Sequence, residues 1–189
     1  CKLDVANPNS FTAFIDCARQ IGPIDLLVNN AGIQRTGPFI EQSLESQHRE
    51  IAINLGGVIT GMRLVLPEML ARNYDHIVNI ASMAGKMTVP GAAVYTASKF
   101  GVASLSRAVR SEIAGSSVTL TTILPSAVQT ELTAGLDVRG IPKATPEMVA
   151  DEIVASCRHG HAEVTLPRWL APIGTVEQAL PEWIGERVK

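Results

Sequence analysis

Ser82, Tyr95 and Lys99 are the residues of this 189-residue chain whose types and spacing could do chemistry together. Tyr95 and Lys99 stand four positions apart in a stretch that reads as helix, so their side chains share one face, one turn apart. A free phenol titrates near pH ~10 and moves protons poorly at neutral pH. An ammonium beside it stabilises the phenolate and draws that value down, toward the range where general acid–base catalysis works best. Ser82 follows the apolar run Ile77–Ala81, which reads as a strand. In open α/β sheets, ligands bind at the carboxyl ends of the strands. There Ser82 could hold a substrate carbonyl or hydroxyl while Tyr95 moves the proton. Taken alone, Tyr-x-x-x-Lys reads equally well as a packed ring beside a solvated lysine.

The rest of the chain supplies elements to position such a set. Lys2–Val5 reads as a short strand closed by Asn7-Pro8. A helix capped by Ser10 follows, with Phe11, Phe14, Ile15 and Ala18 at helical spacing, and Gly22-Pro23 stops it. Ile24–Val28 suits a strand buried on both faces. From about Glu45 a long helix carries Ile51, Leu55, Val58, Met62, Val65 and Met69, with a kink or break expected at Pro67. After strand Ile77–Ala81, a helix runs from about Val94 to Ala114, followed by strand Val118–Leu124. Thr145-Pro146-Glu147 is a helix start, with Gly160 just past the end of that helix. Glu163–Leu166 is a last strand, and a short helix is expected from about Val176. Apolar strands alternating with helices give the fold class: α/β, a doubly wound parallel sheet of Rossmann type in one domain, residues 1–189.

Composition bounds the function. The chain is 46% hydrophobic with a formal net charge of −2, which excludes disorder and argues against a nucleic-acid surface. No apolar run approaches the ~20 residues of a membrane-spanning helix. Cys1, Cys17 and Cys157 are odd in number and widely spread, so they fit a reducing, cytoplasmic setting better than a disulfide framework. His159 and His161 resemble a metal pair, but no further ligands of suitable spacing accompany them, so no metal is expected.

In order and spacing the chain resembles the short-chain dehydrogenase/reductase family from that fold's third strand onward. The matching residues are Asp4-Val5, Asn29-Asn30-Ala31-Gly32, Asn54, Ser82, Tyr95-Thr96-Ala97-Ser98-Lys99 and Pro125-Ser126-Ala127-Val128-Gln129-Thr130. The resemblance implies an NAD- or NADP-dependent oxidoreductase acting on an alcohol or ketone. Tyr95 would be the general acid in reduction and the base in oxidation. Lys99 would lower its pKa and hold the nicotinamide ribose, Ser82 would orient the substrate oxygen, and Asn54 would complete a proton relay. Asp4 and Val5 would meet the adenine. Asn29, Ala31 and Gly32 would line the adenosine ribose, and Val128 and Thr130 would contact the carboxamide. By the same resemblance the long helix through Gly56, Gly57 and Gly61 and the Tyr95 helix would be dimerising surfaces of a homodimer or homotetramer. Residues from about 130 on would form the substrate region. Leu132, Leu136, Val138 and Ile141 there would suit an apolar lid, and with it an apolar ketone.

Two features depart from the family. Ser126 stands where it usually has Gly. The family's opening strand, Gly-rich turn, helix and second strand have no counterpart here, so the natural protein is expected to be longer. The 189 residues alone should then bind dinucleotide weakly, because the helix N-terminus that meets a pyrophosphate is missing. The alternative reading is a catalytically incompetent fragment, or a dehydrogenase-like scaffold that binds a partner.

Overall fold

The computed structural model describes residues 1–128 and 143–172. Four strands, β1 (Leu26–Asn29), β2 (His76–Ile80), β3 (Thr119–Pro125) and β4 (Glu163–Leu166), pair in that order, all parallel. The helices are α1 (Pro8–Arg19), α2 (Leu44–Ile51), α3 (Gly57–Arg72), α4 (Ala93–Glu112) and α5 (Pro146–His159). One sheet face packs Leu27, Ile77, Leu120 and Leu124 against Phe11 and Ile15 of α1, Val58, Met62, Val65 and Met69 of α3, and Val102 of α4. The other face gathers Val78, Ile80, Ile123, Val164 and Leu166 under Val149 and Ile153 of α5. Period-2 strands thus feed two separate layers of core, as a covered parallel sheet requires.

The first strand expected from the sequence does not form. Residues 1–7 are irregular, and Asp4 turns the chain instead: its carboxylate accepts from the Ala6 N–H at 3.0 Å and its carbonyl from the Asn7 N–H at 3.1 Å. A strand needs a neighbour to bond, and none of the described strands lies beside this segment. Asn7, not Ser10, caps α1, accepting from the Asn9 and Ser10 N–H groups, with Pro8 in the first turn. The Ser10 hydroxyl accepts from the Asp4 N–H at 2.9 Å. The returning N-terminus brings Cys1 within 6.7 Å (Cα–Cα) of Cys17, and the two are joined by a disulfide. That corrects the expectation of unpaired cysteines and removes the cysteine argument for a reducing compartment.

The long helix runs on through Pro67 to Arg72 instead of breaking there. Pro67 and Arg63 both lie on the exposed side, so water can serve the Arg63 carbonyl that proline leaves without a donor. The irregularity lies earlier, in a π-turn at Ala52–Gly56. By length and composition Leu44–Arg72 could cross a membrane, which the sequence reading did not anticipate. Within the fold 44% of its most apolar stretch is buried, and Val58, Met62, Val65 and Met69 pack in the core. Gly57 and Gly61 face inward. A Cβ on Gly61 would lie 2.6 Å from Asn29 Oδ1 and 2.9 Å from Phe11 Cζ, and one on Gly57 would lie 3.1 Å from Val5 Cβ. These glycines let α1 and the N-terminal segment approach α3.

His76 locks the foot of β2. Its Nδ1 pairs with the Thr119 hydroxyl at 2.7 Å and its Nε2 with the Ser156 hydroxyl at 2.9 Å. Burial pushes its pKa below the ordinary imidazole value, with Thr119 opposing. The unfolded chain therefore takes up this proton first as pH falls. The stability His76 contributes is present above about pH 6.5 and is lost as pH falls toward its folded value. We expect the melting temperature to drop between about pH 7.5 and 5, and to drop less in His76→Gln. Parallel thermal-unfolding curves for the two proteins would refute this.

Candidate active site

Strand ends and one helix face bring the candidate residues together. Ser82 follows β2 at its carboxyl edge and caps a single 3₁₀ turn, Met83–Gly85, its hydroxyl accepting from the Ala84 N–H at 3.1 Å. That turn presses on α4: a Cβ on Gly85 would stand 2.7 Å from the Lys99 carbonyl oxygen. Only glycine permits this approach, and it fixes Ser82 relative to the helix carrying Tyr95 and Lys99. The Ser82 hydroxyl acts on the Tyr95 phenol, drawing its pKa down. Tyr95 is 8% exposed and Lys99 4%. The Lys99 ammonium donates to the Ile80 carbonyl at 2.9 Å and lies 5.7 Å from the Tyr95 ring centroid.

Asn54, fully buried in the π-turn, is the other fixed point. Its Nδ2 donates to the Ile33 carbonyl at 2.8 Å and to the Ser98 hydroxyl at 3.1 Å, and its Oδ1 accepts from the Ile33 N–H at 2.8 Å. Ser98 in turn donates to the Tyr95 carbonyl at 2.6 Å. Asn54 therefore joins the segment after β1 to α4. Gly32 lies in this corner: a Cβ there would be 3.3 Å from Asn54 Oδ1 and 3.7 Å from Lys99 Nζ.

The electrostatics differ from the expectation that Lys99 pulls the Tyr95 phenol down. Burial pushes the phenol above its ordinary value, Ser82 opposes this, and the charge of Glu50 adds to it. The Lys99 ammonium is engaged by Ile80, well away from the ring centre, and burial lowers its own pKa to about 8. A buried ammonium loses its proton more easily because the charged form is poorly solvated.

Other expected residues are placed differently. The Asn29 side chain points into the sheet–helix layer and donates to Asn79 Oδ1 at 2.8 Å, so only its main chain is left for a ribose. Asp4 is occupied in the N-terminal turn and Val5 packs on Gly57. Ala31 follows β1 beside Gly32. Val128 forms an isolated parallel bridge with Ala144, and Thr130 and the lid residues Leu132, Leu136, Val138 and Ile141 lie outside the described residues. Ser126 is accommodated and buried, with its N–H donating to the Leu166 carbonyl at 2.7 Å. Among the described residues no three His, Cys, Asp or Glu side chains converge to hold a metal.

Two residues at the site escaped the sequence reading. Ser98 stands out in the sequence only as part of the Tyr95–Lys99 motif. Glu50, fully buried, accepts from the Arg35 N–H at 3.0 Å through Oε1, while Oε2 has no hydrogen-bond partner. A signal existed: Gln47, Glu50 and Asn54 continue, at three- and four-residue steps, the stripe that α3 buries with Val58 and Met62. Polar side chains in phase with a core stripe must be bonded to something specific.

The family model for short chain dehydrogenase matches residues 1–139. The ketoacyl reductase HetN of Nostoc sp. is 38% identical over 168 residues, covering 86% of this chain and 58% of its own length. D-threitol dehydrogenase of Mycolicibacterium smegmatis is 40% identical over 130 residues, 68% of this chain and 50% of its own. 2-(R)-hydroxypropyl-CoM dehydrogenase of Xanthobacter autotrophicus is 37% identical over 136 residues, 70% of this chain and 54% of its own. This chain thus spans between 50% and 58% of the length of those relatives. A crystal structure from Agrobacterium tumefaciens, provisionally assigned as a gluconate dehydrogenase, superposes with a TM-score of 0.74 at 27% identity, covering 86% of this chain and 72% of that one.

Proposed function

Because the chain belongs to the short-chain dehydrogenase family, we propose that it is an NAD(P)-dependent oxidoreductase interconverting an alcohol and a carbonyl compound, with Tyr95 as the acid–base group. The observation that carries this reading is the convergence, at the carboxyl edge of β2, of a buried phenol, the hydroxyl of Ser82 and a buried ammonium. The names of the relatives agree in kind: a ketoacyl group, a threitol and a hydroxypropyl group each present a hydroxyl or a carbonyl.

The residues present fit a nicotinamide ribose. Ile80 takes one of the three N–H donors of Lys99, and the close approach of Gly32 leaves no side chain between that ammonium and the segment after β1. A bound nicotinamide supplies or accepts the hydride. Ser82 holds the substrate oxygen beside the Tyr95 hydroxyl. A phenol held above its ordinary value is protonated at neutral pH, so Tyr95 stands ready to donate to a developing alkoxide, which favours carbonyl reduction. Asn54 keeps the π-turn, the segment after β1 and α4 in register, and its main chain is where a relay to solvent would start.

The test uses the complete gene product. It is incubated with NADH or NADPH and a panel of ketones of graded polarity, and nicotinamide absorbance is followed. Consumption that depends on the ketone is expected, with apolar ketones the better substrates. A protein that binds cofactor and transfers no hydride in either direction would instead be a scaffold.

A further inference from the structure

Glu50 has no exposed surface, and the proposed reaction as stated makes no use of it. It lies four residues before Asn54 on the same run of helix. Asn54 grips Ile33 by both main-chain groups, and Glu50 grips the next-but-one amide, that of Arg35. The two side chains together hold the segment that carries Ala31 and Gly32. Clamping needs one carboxylate oxygen, and the other, Oε2, is buried without a partner. A buried, unpaired carboxylate oxygen is costly, and an apolar residue would avoid that cost. α2 packs on α4, and across that contact Glu50 acts on the charge of the Tyr95 phenol. The other charge acting on it is the Arg35 guanidinium on the segment after β1.

We propose that Glu50 is a positioning residue for the reaction assigned to Tyr95: its carboxyl clamps the segment after β1 and couples its own ionisation to that of the phenol. This rests on the reading of Tyr95 as the acid–base group. Burial raises the Glu50 pKa, and the Arg35 N–H and guanidinium oppose it. Once Glu50 is charged it resists a second negative charge on Tyr95, so the phenol stays protonated further into alkali. The coupling thereby sets the alkaline end of the range in which Tyr95 can act as an acid.

The test is a phenolate-absorbance titration of the complete gene product, read as the difference from the same protein carrying Tyr95→Phe, so that the Tyr95 phenol alone is followed. Glu50→Gln keeps an acceptor oxygen for Arg35 and removes the charge. The Tyr95 midpoint is expected to fall by about half to one pH unit. An unmoved midpoint overturns the coupling, and a purely structural clamp gives that result. Should Glu50→Gln not fold, the carbon-13 signal of the Glu50 carboxyl in the otherwise unaltered protein replaces it. That signal should shift a second time at the Tyr95 midpoint, and a flat signal there overturns the proposal. Neither readout depends on turnover. A protein that transfers no hydride would sink the functional reading and leave this coupling standing, whereas an unmoved midpoint sinks the coupling alone.

Discussion

Tyr95→Phe in the complete gene product is expected to lower turnover by about 10²–10⁴-fold while leaving the fold and cofactor affinity in place. The ring occupies a nearly closed site, and phenylalanine fills the same volume, so core packing survives. Only the hydroxyl disappears, and with it the influence it exchanges with Ser82. Ser82 keeps a partner, because its hydroxyl also accepts from the Ala84 N–H, so no buried polar group is orphaned. The loss should therefore fall on kcat and not on the KM for cofactor, because the phenol is needed when a proton moves and not when ligands bind. Stopped-flow hydride transfer and cofactor fluorescence titration read the two separately. Turnover within a few-fold of the unaltered protein would remove Tyr95 from the mechanism.

Lys99→Met is expected to cost about 10²-fold or more in turnover, and unlike Tyr95→Phe it should also weaken cofactor binding. Methionine keeps the unbranched stem and removes the charge. The Ile80 carbonyl then loses its donor, and the corner formed by Gly32 and Asn54 loses its cation. Burial has lowered the Lys99 pKa to about 8. Its ammonium is thus intact below that value and neutralised as pH rises through it, so any step that needs the charge fades across the same interval. The unaltered enzyme should show a falling limb near that pH, absent in Lys99→Met. A limb that persists in the variant assigns it to another group, with the phenol of Tyr95 the first to examine.

Periodicity and punctuation were enough to read most elements. Glu163–Leu166 forms as expected, and Thr145 and Gly160 bound α5 through a hydroxyl cap and a left-handed residue. Local signals fail where a non-local partner decides. Lys2–Val5 has strand composition, yet among the described residues no strand lies beside it, and Asp4 and Asn7 turn the chain locally. Pro67 is tolerated on the exposed side of the helix, which no one-dimensional rule reveals. The site shows the same division. Tyr95 and Lys99 were legible because four residues make one helical turn. That Asn29 faces Asn79, and that burial raises the phenol, depends on packing between elements remote in sequence. Glu50 was missed because a glutamate on an amphipathic helix reads as solvated until its phase with Asn54 and Val58 is noticed.

The segment after β1 has no regular secondary structure, yet alternate amides along it are held. Ile33 bonds to Asn54, Arg35 to Glu50, and Gly37 to the Gly91 carbonyl at 2.9 Å, in the stretch that leads from Ser82 to Tyr95. Side chains and a neighbouring loop thus serve these amides as a paired strand would. Ordering backbone costs about 1–2 kcal/mol per residue in entropy. For these residues that loss falls at folding. A small molecule arriving at Gly32 meets a wall already set in shape, and its affinity is spared the penalty of stiffening a floppy one.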